Sequence, residues 1–255
     1  MDLKEHISIR KKQKKILIMA HQILGYPNFE TNLEMIKLFQ KYDIDLLELQ
    51  LPFSEPIADG PVFLKANQEA LKNGTKIKDC LDFAEKITEN FNIPIVFMTY
   101  YNILFQYGVE NFVKKCKDIN VKGLIIPDAL PSEHDELYQH CNKYNIDTIL
   151  LTTPFSSYER LEYISKYCKG FMYCAARKGV TGYKTEFNEE ISQFLNTCKQ
   201  VTELPIGVGF GIQKKEDIDF LKNKADVAII GSELLKILEN NGLEGVEEFL
   251  NSLLT

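Results

Sequence analysis

From residue 15 to the C-terminus, short apolar segments alternate with amphipathic ones, and the alternation never changes character. The strand-length apolar segments are ILIMAH (16–21), DLLELQL (45–51), PIVFMTY (94–100), GLIIP (123–127), DTILLT (147–152), GFMYCA (170–175), PIGVGF (205–210) and DVAIIG (226–231). Helical patterns fall between them. TNLEMIKLFQKY opens with Thr31 as a candidate N-cap, TKIKDCLDFAEKITENF opens with Thr75, and SEHDELYQHCNKY sets Ser132 three residues before Asp135, close to a capping box. VENFVKKCKDI, SYERLEYISKY, EEISQFLNTCKQV, KKEDIDFLKN and SELLKILENN supply the rest. Eight strands, each followed by a helix, in a chain close to the ~250 residues usual for the architecture, predict a (β/α)8 TIM barrel. A single domain spanning residues 1–255 is expected, with an extra N-terminal helix; a doubly wound open sheet is the alternative topology.

In such a barrel the reacting groups sit at the C-terminal ends of the strands. The period of two in DLLELQL puts Leu47, Leu49 and Leu51 on one face and Leu46, Glu48 and Gln50 on the other. The leucines suit the helix layer, which leaves Glu48 and Gln50 pointing into the barrel near its top. An unpaired carboxylate in that setting favours its protonated form, the condition a general acid/base needs; the alternative is a Glu paired with a buried Arg or Lys. The following loop, PFSEPIADGP, is stiffened by prolines, and Asp59 before Gly60 and Pro61 has the default role of a turn residue or a helix N-cap.

Three later strand ends add to this picture. ARKGVTGYKTEF after the sixth strand is longer than a minimal connection needs and has the polar, glycine-punctuated make-up of a lid. VGFGIQ after the seventh and IIGSELL after the eighth set glycines just before expected helix starts, where backbone N–H groups and the helix dipole favour a phosphate; tight turning alone is the other explanation.

Composition narrows the function classes. The chain is 45% hydrophobic and 26% charged, enough for a sizeable core. A net charge of −6 and a pI near 5.4 argue against a nucleic-acid surface. The one basic run, Arg10 to Lys15, is expected to be the solvated end of the N-terminal helix. It also imitates the start of a signal peptide, but His21 and Gln22 interrupt the apolar stretch and no cleavage site follows. No apolar run has membrane-spanning length, so a cytoplasmic protein is expected. Six cysteines without a Cys-x-x-Cys pair are expected to be reduced thiols, and four histidines without ligand spacing predict no metal.

The stretch LELQLPFSEPIADGP resembles the signature of the tryptophan synthase alpha chain family, usually read as E-[LI]-G-[VI]-P-F-S-D-P-x-A-D-G-P. The resemblance extends, in order, through LGYPNFETNLEMI, MTYYNILFQYG, IPDALPSE, ARKGVTG, GFGI and the GS after the last strand. It implies a barrel that cleaves indole-3-glycerol phosphate to indole and glyceraldehyde 3-phosphate without a cofactor of its own. The implied partner is a pyridoxal-phosphate-dependent beta chain in an α2β2 assembly. By resemblance, Glu48 and Asp59 fall at the two catalytic carboxylate positions, Tyr173 in the indole pocket, and Gly182, Gly211, Gly231 and Ser232 in phosphate-binding loops. Thr181 falls in the loop expected to close onto Asp59, and Tyr100, Asp128 and Phe210 match pocket or partner-loop positions. Two departures stand out. Gln50 occupies a position usually held by Gly, where it is expected to crowd the pocket or bond the catalytic carboxylate, and Glu55 replaces the usual Asp. Asp128-Ala129-Leu130 is also one residue longer than the common form. The rival reading is an alpha-like subunit with catalysis blunted by Gln50, serving mainly to activate its beta partner; another phosphate-binding barrel would carry different groups at strand two.

Overall fold

The computed structural model describes residues 1–176, 188–209 and 211–254. Among these, the strands are β1 (Leu17–Ile23), β2 (Leu46–Gln50), β3 (Ile95–Met98), β4 (Gly123–Ile125), β5 (Asp147–Ile149), β6 (Leu151–Thr152), β7 (Met172–Ala175), β8 (Ile206–Gly209) and β9 (Val227–Ile230). They pair in the order β5-β4-β3-β2-β1-β9-β8-β7-β6, and every recorded pairing is parallel. The two ends of this order are halves of the one predicted segment, 147–152. β5 pairs with β4, β6 pairs with β7, and Leu150 between them accepts the Tyr173 N–H at 3.1 Å. That shared segment closes the sheet into the predicted barrel and excludes the open doubly wound alternative.

The strand periodicity sorts side chains as expected. Leu47, Leu49 and Leu51 join Phe39, Phe97, Phe112 and Val208 in the layer between strands and helices, whereas Leu46 packs with Leu17, Met19, Val96, Ile125, Val227 and Ile229 inside the barrel. Two aromatic rings from the β7 segment, Phe171 and Tyr173, reach across that interior. They fit because β8 offers glycines: a Cβ on Gly207 would lie 2.8 Å from the Phe171 ring, and one on Gly209 would lie 2.2 Å from the Tyr173 hydroxyl. Helix α1 (Leu3–Arg10) drops Leu3 and Ile7 into the same apolar cluster and so plugs the N-terminal mouth, with the Leu3 N–H donating to Asp147 Oδ2 at 3.1 Å.

The helical ring comprises α2 (Phe29–Lys41), α3 (Pro61–Lys72), α4 (Ile77–Asn90), α5 (Tyr101–Tyr107), α6 (Val109–Asp118), α7 (Asp135–Tyr144), α8 (Tyr158–Tyr167), α9 (Glu189–Val201), α10 (Lys215–Leu221) and α11 (Ser232–Leu254). The three expected caps are corrected. Asn28, not Thr31, caps α2, its Oδ1 accepting the Thr31 N–H at 2.8 Å; Lys76 rather than Thr75 is the cap residue of α4, with Asp79 reaching back to its N–H; α7 begins at Asp135 behind His134, without Ser132. α11 runs past the expected Asn241 by kinking at Gly242, which has φ +66°.

The basic run stands at the end of the N-terminal helix as expected, but three of its cations are paired rather than simply solvated. α1 ends at Arg10, and the run folds back as the barrel's lower clasp. Arg10 reaches Asp43 and Asp45 at 2.7 Å, Lys14 reaches Asp45 at 3.2 Å, and Lys11 reaches Asp226 at 3.3 Å. Asp45 is buried and also accepts the Ile18 N–H at 2.9 Å, so these cations neutralise a carboxylate that the strands hold inside.

Because the plug fills one mouth and leaves the other untouched, Leu3→Ala is expected to cost about 2–5 kcal/mol in urea unfolding. The near-native geometry at the opposite mouth should survive, visible as an unchanged chemical-shift pattern for residues of β2.

Candidate active site

Parallel pairing of β1 with β2 sets His21 opposite Glu48 and Ile23 opposite Gln50. His21, Glu48 and Gln50 all face inward at the C-terminal end of the barrel, and they are 4%, 3% and 0% exposed. Polar groups this deep need partners, and these three largely supply one another. His21 Nδ1 lies 3.0 Å from Glu48 Oε1, and His21 Nε2 lies 2.9 Å from Gln50 Oε1. The Gln50 amide donates to Asp59 Oδ2 at 2.6 Å, and Asn67 of α3 donates to the same oxygen at 3.3 Å. Phe63 stacks on the His21 ring with centroids 4.5 Å apart and an interplanar angle of 15°.

Asp59 reaches this cluster because the loop turns it inward. Its N–H donates to the Pro56 carbonyl at 2.9 Å, Gly60 is the N-cap residue of α3, and Pro61 opens the helix without needing a donor. The default role of Asp59 as a helix cap is therefore overturned. Asn67 anchors the loop from the other side, with Oδ1 accepting the Phe53 N–H at 2.9 Å and Nδ2 donating to the Phe63 carbonyl at 2.8 Å.

Glu48 is neither unpaired nor matched with Arg or Lys; its partner is an imidazole. Only Oε1 is engaged. Oε2 is buried without a hydrogen-bond partner among the described residues. Burial alone would lower the His21 pKa, but Glu48 first, then Asp59 and the Gln50 contact, outweigh it and raise the value. Burial pushes Asp59 up to about 6, despite the Gln50 bond and the attraction of His21, both of which favour the carboxylate. Burial likewise raises the Tyr100 and Tyr173 hydroxyls.

Two small cavities meet here. One, of about 30 Å³, is lined by His21, Glu48, Asp59, Phe63, Tyr173 and their apolar neighbours. The other, of about 20 Å³, shares His21, Phe63 and Tyr173 and ends on Gly211, Gly231 and Ser232. Each holds about one water, so a larger occupant requires the lining to yield. Among the described residues no Lys or Arg lines either one. Ser232 is the first residue of α11, as expected for a phosphate-favouring end, but α10 starts only at Lys215, so Gly211 is not at a helix start.

The remaining sequence-derived positions divide. Tyr100 is fully buried, and its hydroxyl accepts the Ala58 N–H at 3.1 Å, which ties β3 to the Asp59 loop. Asp128 accepts the Tyr101 N–H at 2.9 Å and so caps α5, a helix absent from the pattern reading. Ala129 of the longer loop is buried, and its carbonyl accepts from the Tyr138 hydroxyl at 2.7 Å. Glu55 is exposed. Thr181, Gly182, Phe210 and the expected lid at 177–187 lie outside the described residues. Gln50 bonds Asp59 rather than Glu48, and it lines neither cavity, so the expected crowding does not occur. Sequence reasoning missed His21 and Asn67. The signal for His21 was its place on the Leu17–Met19 face of β1, at the end where β2 carries Glu48.

A closed parallel barrel with two inward carboxylates at its C-terminal mouth, beside an amide-rich rim, has the layout of the (β/α)8 class, in which reacting groups gather at that mouth. The family model described as "Tryptophan synthase alpha chain" matches residues 7–253. The tryptophan synthase alpha chain of Desulforapulum autotrophicum is 48% identical over 98% of this chain and 99% of its own, and that of Syntrophotalea carbinolica is 44% identical over 96% and 98%. Among solved structures, Mycobacterium tuberculosis tryptophan synthase superposes with a TM-score of 0.92 at 27% identity, covering 99% of this chain and 96% of that one. A chain of the Pyrococcus furiosus tryptophan synthase complex gives 0.85 at 28% identity, covering 93% and 97%. The chain belongs to the tryptophan synthase alpha chain family.

The raised Asp59 value has a consequence for stability. The folded chain keeps a proton on Asp59 where the unfolded chain has released it, so this group's contribution falls as pH rises from about 4 to about 6. Asp59→Asn removes that dependence. In urea unfolding at pH 4, 5, 6 and 7, the variant's midpoint should gain on wild type between pH 4 and about 6 and level off above it; a constant difference across the range contradicts the assignment.

Proposed function

We propose that the chain is the alpha subunit of a tryptophan synthase and a lyase that cleaves indole-3-glycerol phosphate to indole and glyceraldehyde 3-phosphate. The observation that carries the reading is the convergence of Glu48 and Asp59 on one cavity whose neighbour, sharing His21, Phe63 and Tyr173, ends on Gly211, Gly231 and Ser232. The reaction is a retro-aldol cleavage. Indole C3 gains a proton, the adjacent glycerol hydroxyl loses one as its C=O forms, and the electrons of the broken C–C bond return to the ring.

Glu48 Oε2, the oxygen left free by His21, carries a proton in the substrate complex, gives it to C3 and, once bare, takes the hydroxyl proton, so that the group ends as it began. Asp59, with a pKa of about 6, is mostly ionised at neutral pH and accepts a hydrogen bond from the ring N–H, which stabilises the positive charge that grows there when C3 is protonated. Tyr173 bounds the ring on the β7 side. The phosphate end rests on backbone N–H groups around Gly231 and Ser232 at the start of α11. Ring entry requires the lining side chains to move apart, since the cavities fit water rather than a bicyclic aromatic.

The family's beta chain is the proposed partner, in an α2β2 assembly, with pyridoxal phosphate belonging to that chain. The barrel's C-terminal rim supports an interface there: Ile57, Phe105 and Phe155 are 72%, 64% and 67% exposed on the segments after β2, β3 and β6. Cytoplasmic work is proposed on the free state of all six cysteines. No helix among the described residues is long and apolar enough to cross a membrane. Nothing in the site favours the reading in which Gln50 blunts catalysis, because Gln50 stands behind the carboxylates instead of in the cavity.

The test is indole formation by the purified chain, alone and with its beta partner. Wild type releases indole in both settings. Glu48→Gln is expected to lower kcat by about 10²–10⁴-fold while substrate binding, read by calorimetry, persists. Near-normal turnover in that variant removes Glu48 from the proton relay.

A further inference from the structure

We propose that His21 and Gln50 are positioning residues that tie Glu48 and Asp59 into a single hydrogen-bonded unit and determine which oxygen of Glu48 meets the substrate. The inference rests on the function proposed above for its kinetic consequence, though not for its structural content.

The hydrogen-bond directions follow from donor and acceptor inventory. A carboxylate accepts only, so the Gln50 group 2.6 Å from Asp59 Oδ2 is the amide nitrogen. Its carbonyl oxygen then faces His21 Nε2 at 2.9 Å and requires a proton on that nitrogen. With Nε2–H fixed, two arrangements satisfy the 3.0 Å contact between His21 Nδ1 and Glu48 Oε1. Either Nδ1 is protonated and an imidazolium donates to a carboxylate, or Nδ1 is bare and accepts from a carboxylic acid. A bare Nδ1 facing a bare Oε1 sets two lone pairs against each other in a buried site, with no donor between them. One proton therefore lies between Nδ1 and Oε1, and shifting it moves no heavy atom. The attraction of Glu48 and Asp59 that raises the His21 pKa against burial favours the imidazolium side.

Two consequences follow. Oε1 is committed to His21, so Oε2, unpartnered among the described residues and buried beside the cavity, is the oxygen available for chemistry. In addition, His21 touches both acids, at Glu48 by direct contact and at Asp59 by its charge and through the Gln50 amide. The titratable groups facing His21 among the described residues are Glu48 of β2, Asp59 of the following loop and Tyr173 of β7; Tyr100 faces Asp59 from the end of β3. Phe63 of α3 holds the ring plane. Gln50, the departure from the usual glycine, thereby selects the His21 tautomer and bridges the two halves of the site.

The kinetic experiment compares wild type, His21→Phe, Gln50→Gly and the double variant in indole formation across pH 5–9. Phenylalanine keeps the stacking on Phe63 and removes both hydrogen bonds. Each single variant is expected to lose about tenfold or more in kcat with KM changed less than about threefold, and to shift the pH profile of kcat. The double variant should be far less impaired than the product of the two losses, because the two residues act as one unit. His21→Asn, whose amide can again donate to Glu48, should recover part of the His21→Phe loss. A His21→Phe enzyme with kcat and pH profile within twofold of wild type overturns the proposal.

A second measurement is independent of turnover. Imidazole 15N spectra of the folded chain should show His21 protonated at Nε2 through the whole range, with only Nδ1 titrating, and Gln50→Gly should abolish that preference. A neutral His21 protonated at Nδ1 overturns the proposal, whatever the kinetics. If wild type forms no indole while the spectra are as expected, the lyase function falls and the network stands.

Discussion

The site depends on a buried carboxylate facing a buried imidazole, a contact enforced by backbone pairing. Once β1 and β2 run in register with His21 opposite Glu48, both side chains point into a barrel whose lower interior is packed with apolar side chains. An isolated carboxylate there would meet the desolvation cost of a buried ion. The imidazole meets half of that need at Oε1 and leaves Oε2 without a partner among the described residues, which is the asymmetry that the proposed acid/base role uses. Gln50, Asp59 and Asn67 extend the same logic outward, each satisfying a neighbour that burial would otherwise leave unpaired.

The two mouths of the barrel divide the labour. At the N-terminal end, α1 inserts Leu3 and Ile7, and Arg10 and Lys14 neutralise the buried Asp45, so the polar and apolar demands there are met within the chain. At the C-terminal end one carboxylate oxygen lacks a hydrogen-bond partner among the described residues, two small cavities open beside it, and apolar side chains stand exposed around the rim. This is the asymmetry of the fold itself, in which stability concentrates at the bottom and chemistry at the top.

Much of this was legible in the residues. The alternation of Leu46 to Leu51 told which side chains enter the barrel, and the glycine before Ser232 marked the start of the last helix. Three things were not legible, each for a physical reason. Register between strands is set by packing of both partners, so the Glu48–His21 contact cannot be read from either segment alone. Helix caps were misplaced because several polar residues stand near each helix start, Asn28 and Thr31 at α2 and Thr75, Lys76 and Asp79 at α4, and local geometry chooses among them. The cap role assigned to Asp59 failed because Gly60 already holds that position, freeing the carboxylate to turn toward Gln50. The family resemblance located Glu48 and Asp59; it carried no information about His21, whose importance comes from geometry.

Glu48 Oε2 as the oxygen presented to the substrate, with Oε1 held by His21, is the claim on which the proposed chemistry stands. A crystal structure of the chain with a substrate analogue lacking the reacting hydroxyl tests it most directly. The expected complex has the indole ring between Tyr173 and Phe63 with its N–H on Asp59, Oε2 of Glu48 toward C3, the His21–Oε1 contact intact and the phosphate against the backbone of Gly231 and Ser232. A bound analogue that leaves Oε2 facing protein, or whose binding draws His21 away from Glu48, contradicts it.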